Sequence, residues 1–193
     1  MRNPVALSRF AIVTAACALL VSCASTTVTF TPSPQTPVCN SSASSLVLWA
    51  PQWRPDQKDV PEWEVAAEAG LKNFLQSSGC FARFELRRLS SMTPATADVK
   101  VGSAHGQFNK VIAITVRELG PVIRLLSSSA LINGGTEVVL QIAEYLPPGE
   151  TQIRTFTVYW QNGGAGMVKG VESLPEDMRA ALVMGLQPLR TEK

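Results

Sequence analysis

The sequence predicts an α+β domain: a mixed sheet of about five strands with a βαβ start, a long antiparallel hairpin, and two to three helices packed mainly on one face. Three observations carry this prediction. An amphipathic stretch over 60–77 lies between two short strand-like runs. Two β-rich runs, 136–145 and 152–161, flank the sequence LPPGE. A stripe of apolar residues at helical spacing follows Ser173.

The chain opens with Arg2 and Arg9 and then an apolar run, Phe10 to Leu20, free of acidic residues. That order of basic and apolar regions is a secretory signal. The run is too short to span a bilayer as a helix, which takes roughly 20 apolar residues. The run ends in Leu20-Val21-Ser22-Cys23, which resembles the lipobox of bacterial lipoproteins. The resemblance implies cleavage before Cys23, a thioether-linked lipid on its sulfur, and acylation of the new amino terminus. The competing expectation is ordinary signal-peptidase cleavage near Ala24. Ala24 and Ser25 follow the cysteine where an Asp would favour inner-membrane retention, so the expected address is the outer membrane, facing the periplasm.

Residues 1–22 are thus expected to leave as signal peptide, with 171 of the 193 residues remaining. That is enough for one domain with a real core, placed at 46–193. Loss of Arg2 and Arg9 reduces 17 basic residues to 15, against 15 acidic ones. A net charge of zero gives no electrostatic case for nucleic acid or for an anionic membrane surface.

After Cys23 the chain reads ASTTVTFTPSPQTPVCNSSASS. Poor in charge and rich in Ser, Thr and Pro, it has little apolar surface to offset its ordering entropy. It is expected to be a flexible tether over 23–45. Cys17 leaves with the signal and Cys23 takes the lipid, so Cys39 and Cys80 are left as a pair in an oxidising compartment. They are expected to form a disulfide. No His or carboxylate lies at ligand spacing from either, and no metal site is expected.

Leu46-Val47-Leu48-Trp49 fits a buried strand. In the helix over about 60–77, Asp59 and Glu62 stand as a capping box and Pro61 falls in the first turn. Trp63, Ala66, Ala67, Gly70, Leu71, Phe74 and Leu75 recur at helical spacing, and Gly79 stands where the helix should stop. Phe81 to Leu89 alternates as a strand. Strand, helix, strand makes a right-handed βαβ unit with parallel strands, which brings Cys39 and Cys80 to one end of the sheet.

Residues 94–107 are read as a helix opened by Pro94, although Val99 and Val101 also fit a strand. Val111 to Val116, apolar on both faces, is the expected central strand, broken by Gly120-Pro121. Val122 to Leu126 is a short strand, and Ser127 to Ser129 with Asn133-Gly134-Gly135 reads as turn. The hairpin follows, with Pro148-Gly149 at its tip and Phe156, Val158 and Trp160 sharing a face. The last helix has Ser173 and Glu176 as capping box, with Leu174, Met178, Ala181, Leu182, Gly185, Leu186 and Leu189 in one stripe.

This order of elements, a lipobox, a tether, a βαβ start, a long hairpin and a closing helix, resembles a periplasmic module. That module is shared by the curli-secretion lipoprotein, the lipoprotein activator of a peptidoglycan synthase, and the amino-terminal domain of TolB. The auxiliary subunits of ABC-type lipid-transport systems have a similar order. The resemblance implies a non-enzymatic, lipid-anchored protein with an envelope protein partner, or a lipid-transport subunit. It transfers no site residue.

The residues themselves give little chemistry. His105 is the single histidine and stands alone, and Ser127 to Ser129 lack the G-x-S-x-G elbow. Asn162-Gly163-Gly164-Ala165-Gly166 lacks the further Gly or the Lys-Ser/Thr of a nucleotide loop and reads as a connection. No catalytic residue and no cofactor is expected. The stretch WAPQWRPDQKDVPEW, residues 49–63, is different. Trp and Arg are enriched in binding hot spots, and Pro lowers the entropy of fixing a loop. Trp53, Arg54 and Lys58 are therefore the expected partner-binding residues, with Trp49 and Trp63 in the core.

Overall fold

The computed structural model describes residues 24–55, 57–93, 106–126, 131–147 and 151–187. Its strands are β1 (Ser25–Thr31), β2 (Asn40–Pro51), β3 (Phe81–Arg88), β4 (Lys110–Leu126), β5 (Leu131–Leu146) and β6 (Thr151–Ala165). Two α-helices are described, α1 (Val60–Ser77) and α2 (Leu174–Leu186), the second entered through a 3-10 turn at Val171–Ser173. One six-stranded sheet has the order β1-β6-β5-β4-β2-β3. β2 pairs parallel with β3 and β4, and the remaining pairs are antiparallel.

The βαβ start follows from the sequence pattern. In β2, Val47 and Trp49 pack into the helix-side core while Leu46 and Leu48 join a second cluster, so the strand is apolar on both faces. α1 buries Ala66, Ala67, Leu71, Phe74 and Leu75, the large ones contributing about 1.5–3 kcal/mol each. It stops at Ser78, and Gly79 takes the left-handed φ of 62° that only glycine adopts freely. Cys39 and Cys80 are joined, with Cα atoms 4.6 Å apart. α2 crosses α1 at Gly70, where an added Cβ would come 2.6 Å from Met178 Cβ.

Several expectations are corrected. The tether is not free through residue 45: β1 is an edge strand along β6, and β2 begins at Asn40. Its threonines alternate with Val28 and Phe30, which pack against the core, and the ladder to β6 holds the backbone that composition alone leaves free. Between β1 and β2 the chain is held by a buried ion triad. Glu144 takes Lys110 and Arg154 at 2.5 Å each, and those cations donate to the carbonyls of Val38 and of Thr36 and Pro37.

Gly120-Pro121 does not break β4, which runs on to Leu126 against β5. β2 stops pairing at Val116, so beyond it β4 has only one neighbour, the setting in which a strand tolerates proline. Asn133-Gly134-Gly135 and Asn162 to Ala165 are strand, not turn or connection. The glycines allow close approach: a Cβ on Gly135 would clash with the Asn162 carbonyl. Neither predicted capping box forms a side-chain cap. Asp59 has φ 57° and only its carbonyl receives Trp63 N–H, while Ser173 Oγ donates to Gly170 and Asp177.

Both α-helices lie on one face. The other carries a second cluster of Leu46, Leu48, Phe108, Val111, Ala113 and Tyr145, with Leu89 and Met92 packed against it. The expected helix over 94–107 falls largely outside the described residues, as do Cys23, His105, Ser127 to Ser129, Pro148-Gly149 and Leu189.

Candidate functional site

The loop after β2 leaves the sheet at the end where β4 runs beyond its neighbour. Gln52 N–H donates to the Val116 carbonyl at 2.8 Å, fixing the exit. Trp53 then turns back onto the helix. Its ring meets Trp63 edge-on, centroids 5.9 Å apart at 73°, and its Nε1 donates to Glu64 Oε1 at 3.4 Å. It is half-buried, so it belongs to the wall of this end rather than projecting from it.

Arg54 is bound from the other side. Its Nε lies 2.9 Å from Glu118 Oε1, and Gln57 Nε2 donates to the second oxygen of that carboxylate at 2.7 Å. Gln57 Oε1 in turn accepts the Arg54 backbone N–H at 2.8 Å. Burial holds the Glu118 carboxyl above the usual carboxylate range, opposed by the Arg54 charge and reinforced by Glu137. Arg54 still presents 65% of its side chain to solvent, and Lys58 is exposed.

The structure thus brings Trp53 and Arg54 onto one rim, and it adds Gln57, Glu118 and Gly120, which sequence reasoning missed, and Trp63, which the sequence places in the core. A Cβ on Gly120 would stand 3.0 Å from Trp63 Cζ2, so the indole lies flat against β4. No spacing in the sequence signals this, because Glu118 and Gly120 reach the loop across the sheet.

On the outer side of α1 is an open apolar groove of about 440 Å³, lined by Pro61, Glu62, Val65, Ala66, Ala69, Val171 and Pro175. Val65 is 71% exposed. Nothing in the fold of α1 needs a valine there, since its buried face runs through Ala66, Gly70 and Phe74. Among the described residues no group of three or more His, Cys, Asp or Glu could hold a metal ion, and no helix is long and apolar enough to cross a membrane.

No family model and no curated protein matches this chain. Among solved structures it is similar to the PelC dodecamer from Paraburkholderia phytofirmans, at 15% identity, 82% of this chain, 95% of that one and a TM-score of 0.48. Lipoprotein GNA1162 from Neisseria meningitidis is 14% identical, over 75% of this chain and 97% of that one, with a TM-score of 0.42. Protein XCC0632 from Xanthomonas campestris is 14% identical, over 78% and 83%, with a TM-score of 0.38.

Proposed function

We propose that this chain is a lipoprotein held in the outer membrane through Cys23, with its domain in the periplasm, and that it binds a protein partner in envelope assembly or secretion without chemistry of its own. The observation that carries the binding role is the open apolar groove along α1, whose lining begins at Pro61, where the loop that carries Trp53, Arg54 and Lys58 enters the helix. Apolar surface left open between two helices is the usual mark of an interaction site.

A photo-crosslinking residue at Val65, introduced in the native envelope, should capture a defined protein that the same residue at Ile153 does not. Lys58→Glu and Val65→Glu should reduce that capture without lowering the melting temperature, because both side chains are exposed. Identical products from positions 65 and 153 would count against the groove. Cys23→Ser should leave an unprocessed precursor absent from the outer-membrane fraction, and normal processing of that variant would remove the anchor from this reading.

The groove also favours a second reading, an auxiliary subunit of an ABC-type lipid-transport system. In that case native mass spectrometry should find a phospholipid bound to the wild-type protein and lost in Val65→Glu.

A further inference from the structure

We propose that the helix-free face of the sheet carries a second binding site, a recess that takes the acetamido group of a neutral glycan. It is separate from the groove along α1 and depends on neither the anchor nor the protein partner proposed above.

Strand alternation defines the face. Phe156, Val158 and Trp160 of β6 and Val28 and Phe30 of β1 pack on the helix side, so Thr155, Thr157 and Tyr159, with Thr29 and Thr31, take the other. The register then sets Thr31, Thr157, Gln141 and Thr115 side by side across β1, β6, β5 and β4. Thr155, Ala143 and Ala113 form the row on one side of it, and Thr29, Tyr159 and Val139 the row on the other. None of these side chains carries a charge. Threonine alone needs no explanation there, because it is a good strand former on a half-solvated face. Such faces ordinarily carry Lys and Glu as well, and here hydroxyls and amides stand in their place.

These rows run into a recess of about 120 Å³. Ala113, Ala143 and Met92 supply its apolar part, and Gln52, Thr115, Gln141, Gln152 and Thr155 its polar part. The Gln141 carbonyl accepts Arg117 Nη1 at 3.3 Å, and the Gln152 carbonyl accepts the Tyr145 hydroxyl at 3.4 Å. With those oxygens engaged, both amides present their NH2 groups as donors. At ~30 Å³ per water the space is that of about four waters, and an acetamido group has as many heavy atoms. Its methyl suits the alanines, its carbonyl the glutamine NH2 groups, and its N–H a threonine hydroxyl.

Other ligand classes fit less well. An ammonium needs a carboxylate, and none is among the described residues that line the recess. An anion needs free cations, whereas Arg117 at the border is held by Gln141. An extended peptide would seek a strand edge, not the middle of a sheet face. Tyr159, 46% exposed, stands four residues along β6 from Thr155, about 14 Å at ~3.4 Å per residue. A short oligosaccharide held in the recess therefore reaches an aromatic ring on which to lay the apolar face of a sugar.

The test titrates the protein as isolated from its cells, free of sugar-based detergent, with chitotetraose and with cellotetraose, which lacks the acetamido groups. Chitotetraose should bind about tenfold more tightly, and its acetyl methyls should take up the most transferred saturation by NMR. Methyl resonances of Ala113 and Ala143 should shift, while those of Val65 and Ala69 in the groove stay. Thr115→Val and Gln152→Ala should each weaken binding about tenfold, and Val65→Glu should leave it unchanged. Gln152 is exposed, so its variant reads the site even where Thr115→Val disturbs the fold. Equal affinity for the two tetramers overturns the acetamido recognition. Shifts confined to Val65 and Ala69, unchanged affinity in Gln152→Ala, or no binding of chitotetraose at millimolar concentration overturns the site, and none of these touches the protein-partner reading.

Discussion

Lys110 Nζ lies 2.5 Å from Glu144 Oε1, in a carboxylate only 4% exposed, and the ammonium also donates to the Val38 carbonyl. This pair, completed by Arg154, ties the segment between the first two strands to the middle of the sheet. Glu144→Gln should cost about 3 kcal/mol in urea unfolding, at the lower end for a broken buried pair because both cations keep some solvent. Residues 32–38 should become accessible to proteolysis in the same variant. An unchanged midpoint would mean that water replaces the carboxylate without loss.

The disulfide closes a loop with a sequence separation of 41. Chain entropy gives ~4 kcal/mol for such a loop. The Cys39→Ala, Cys80→Ala pair should lose about that much, read from the denaturation midpoint. A loss below 1 kcal/mol would show that the unfolded chain is already constrained there.

Gly70→Ala tests the helix crossing. Alanine gains roughly 0.5–1 kcal/mol of helix propensity over glycine, against about 1–3 kcal/mol for overpacking. Packing should win, because the new Cβ meets Met178 Cβ at 2.6 Å and the Pro175 carbonyl at 2.7 Å. Met178→Ala in the same chain should not restore the loss, since alanine keeps the Cβ that clashes, the Pro175 carbonyl stays in place, and truncating a buried methionine costs about 2–5 kcal/mol of its own.

Glu118 gives the pH prediction. Its folded pKa is raised above 4.5, first by burial and then by Glu137, with Arg54 and the hydrogen bonds from Gln57 and Arg54 opposing. The folded state therefore holds this proton more tightly than the unfolded state. The stability it contributes is full below the unfolded pKa and is lost as pH rises through the folded value. A carboxyl-detected titration should find Glu118 higher still in Arg54→Ala and lower in Glu137→Gln. A downward move in Arg54→Ala would reverse the assigned cause.

The parts of the fold that were legible in the sequence are those whose burial is written as periodicity. The βαβ unit, the 136–161 hairpin and the stripe of α2 are of that kind. The partners Cys39 and Cys80 could be read because topology and compartment pointed the same way. β1 was written only faintly: Val28 and Phe30 alternate with Thr27, Thr29 and Thr31 and pack against the core, but two apolar residues in a Ser/Thr/Pro-rich stretch are outweighed by its composition. Gly134, Gly135 and Gly163 misled for a related reason. Glycine was read as a turn signal where its role is to let two backbones approach. At the candidate site, Trp53 and Arg54 were visible as residue types, but their inward partners Trp63 and Glu118 are set by tertiary geometry.

The pairing of β1 has a mechanical meaning. Any load applied through the chain ahead of Ser25 pulls along the axis of β1, and the seven paired positions from Ser25 to Thr31 resist it side by side, in shear. A load directed across the strand would instead peel those bonds open one after another. The domain is built so that tension from its amino-terminal side is spread over a whole strand before any part of the core is asked to yield.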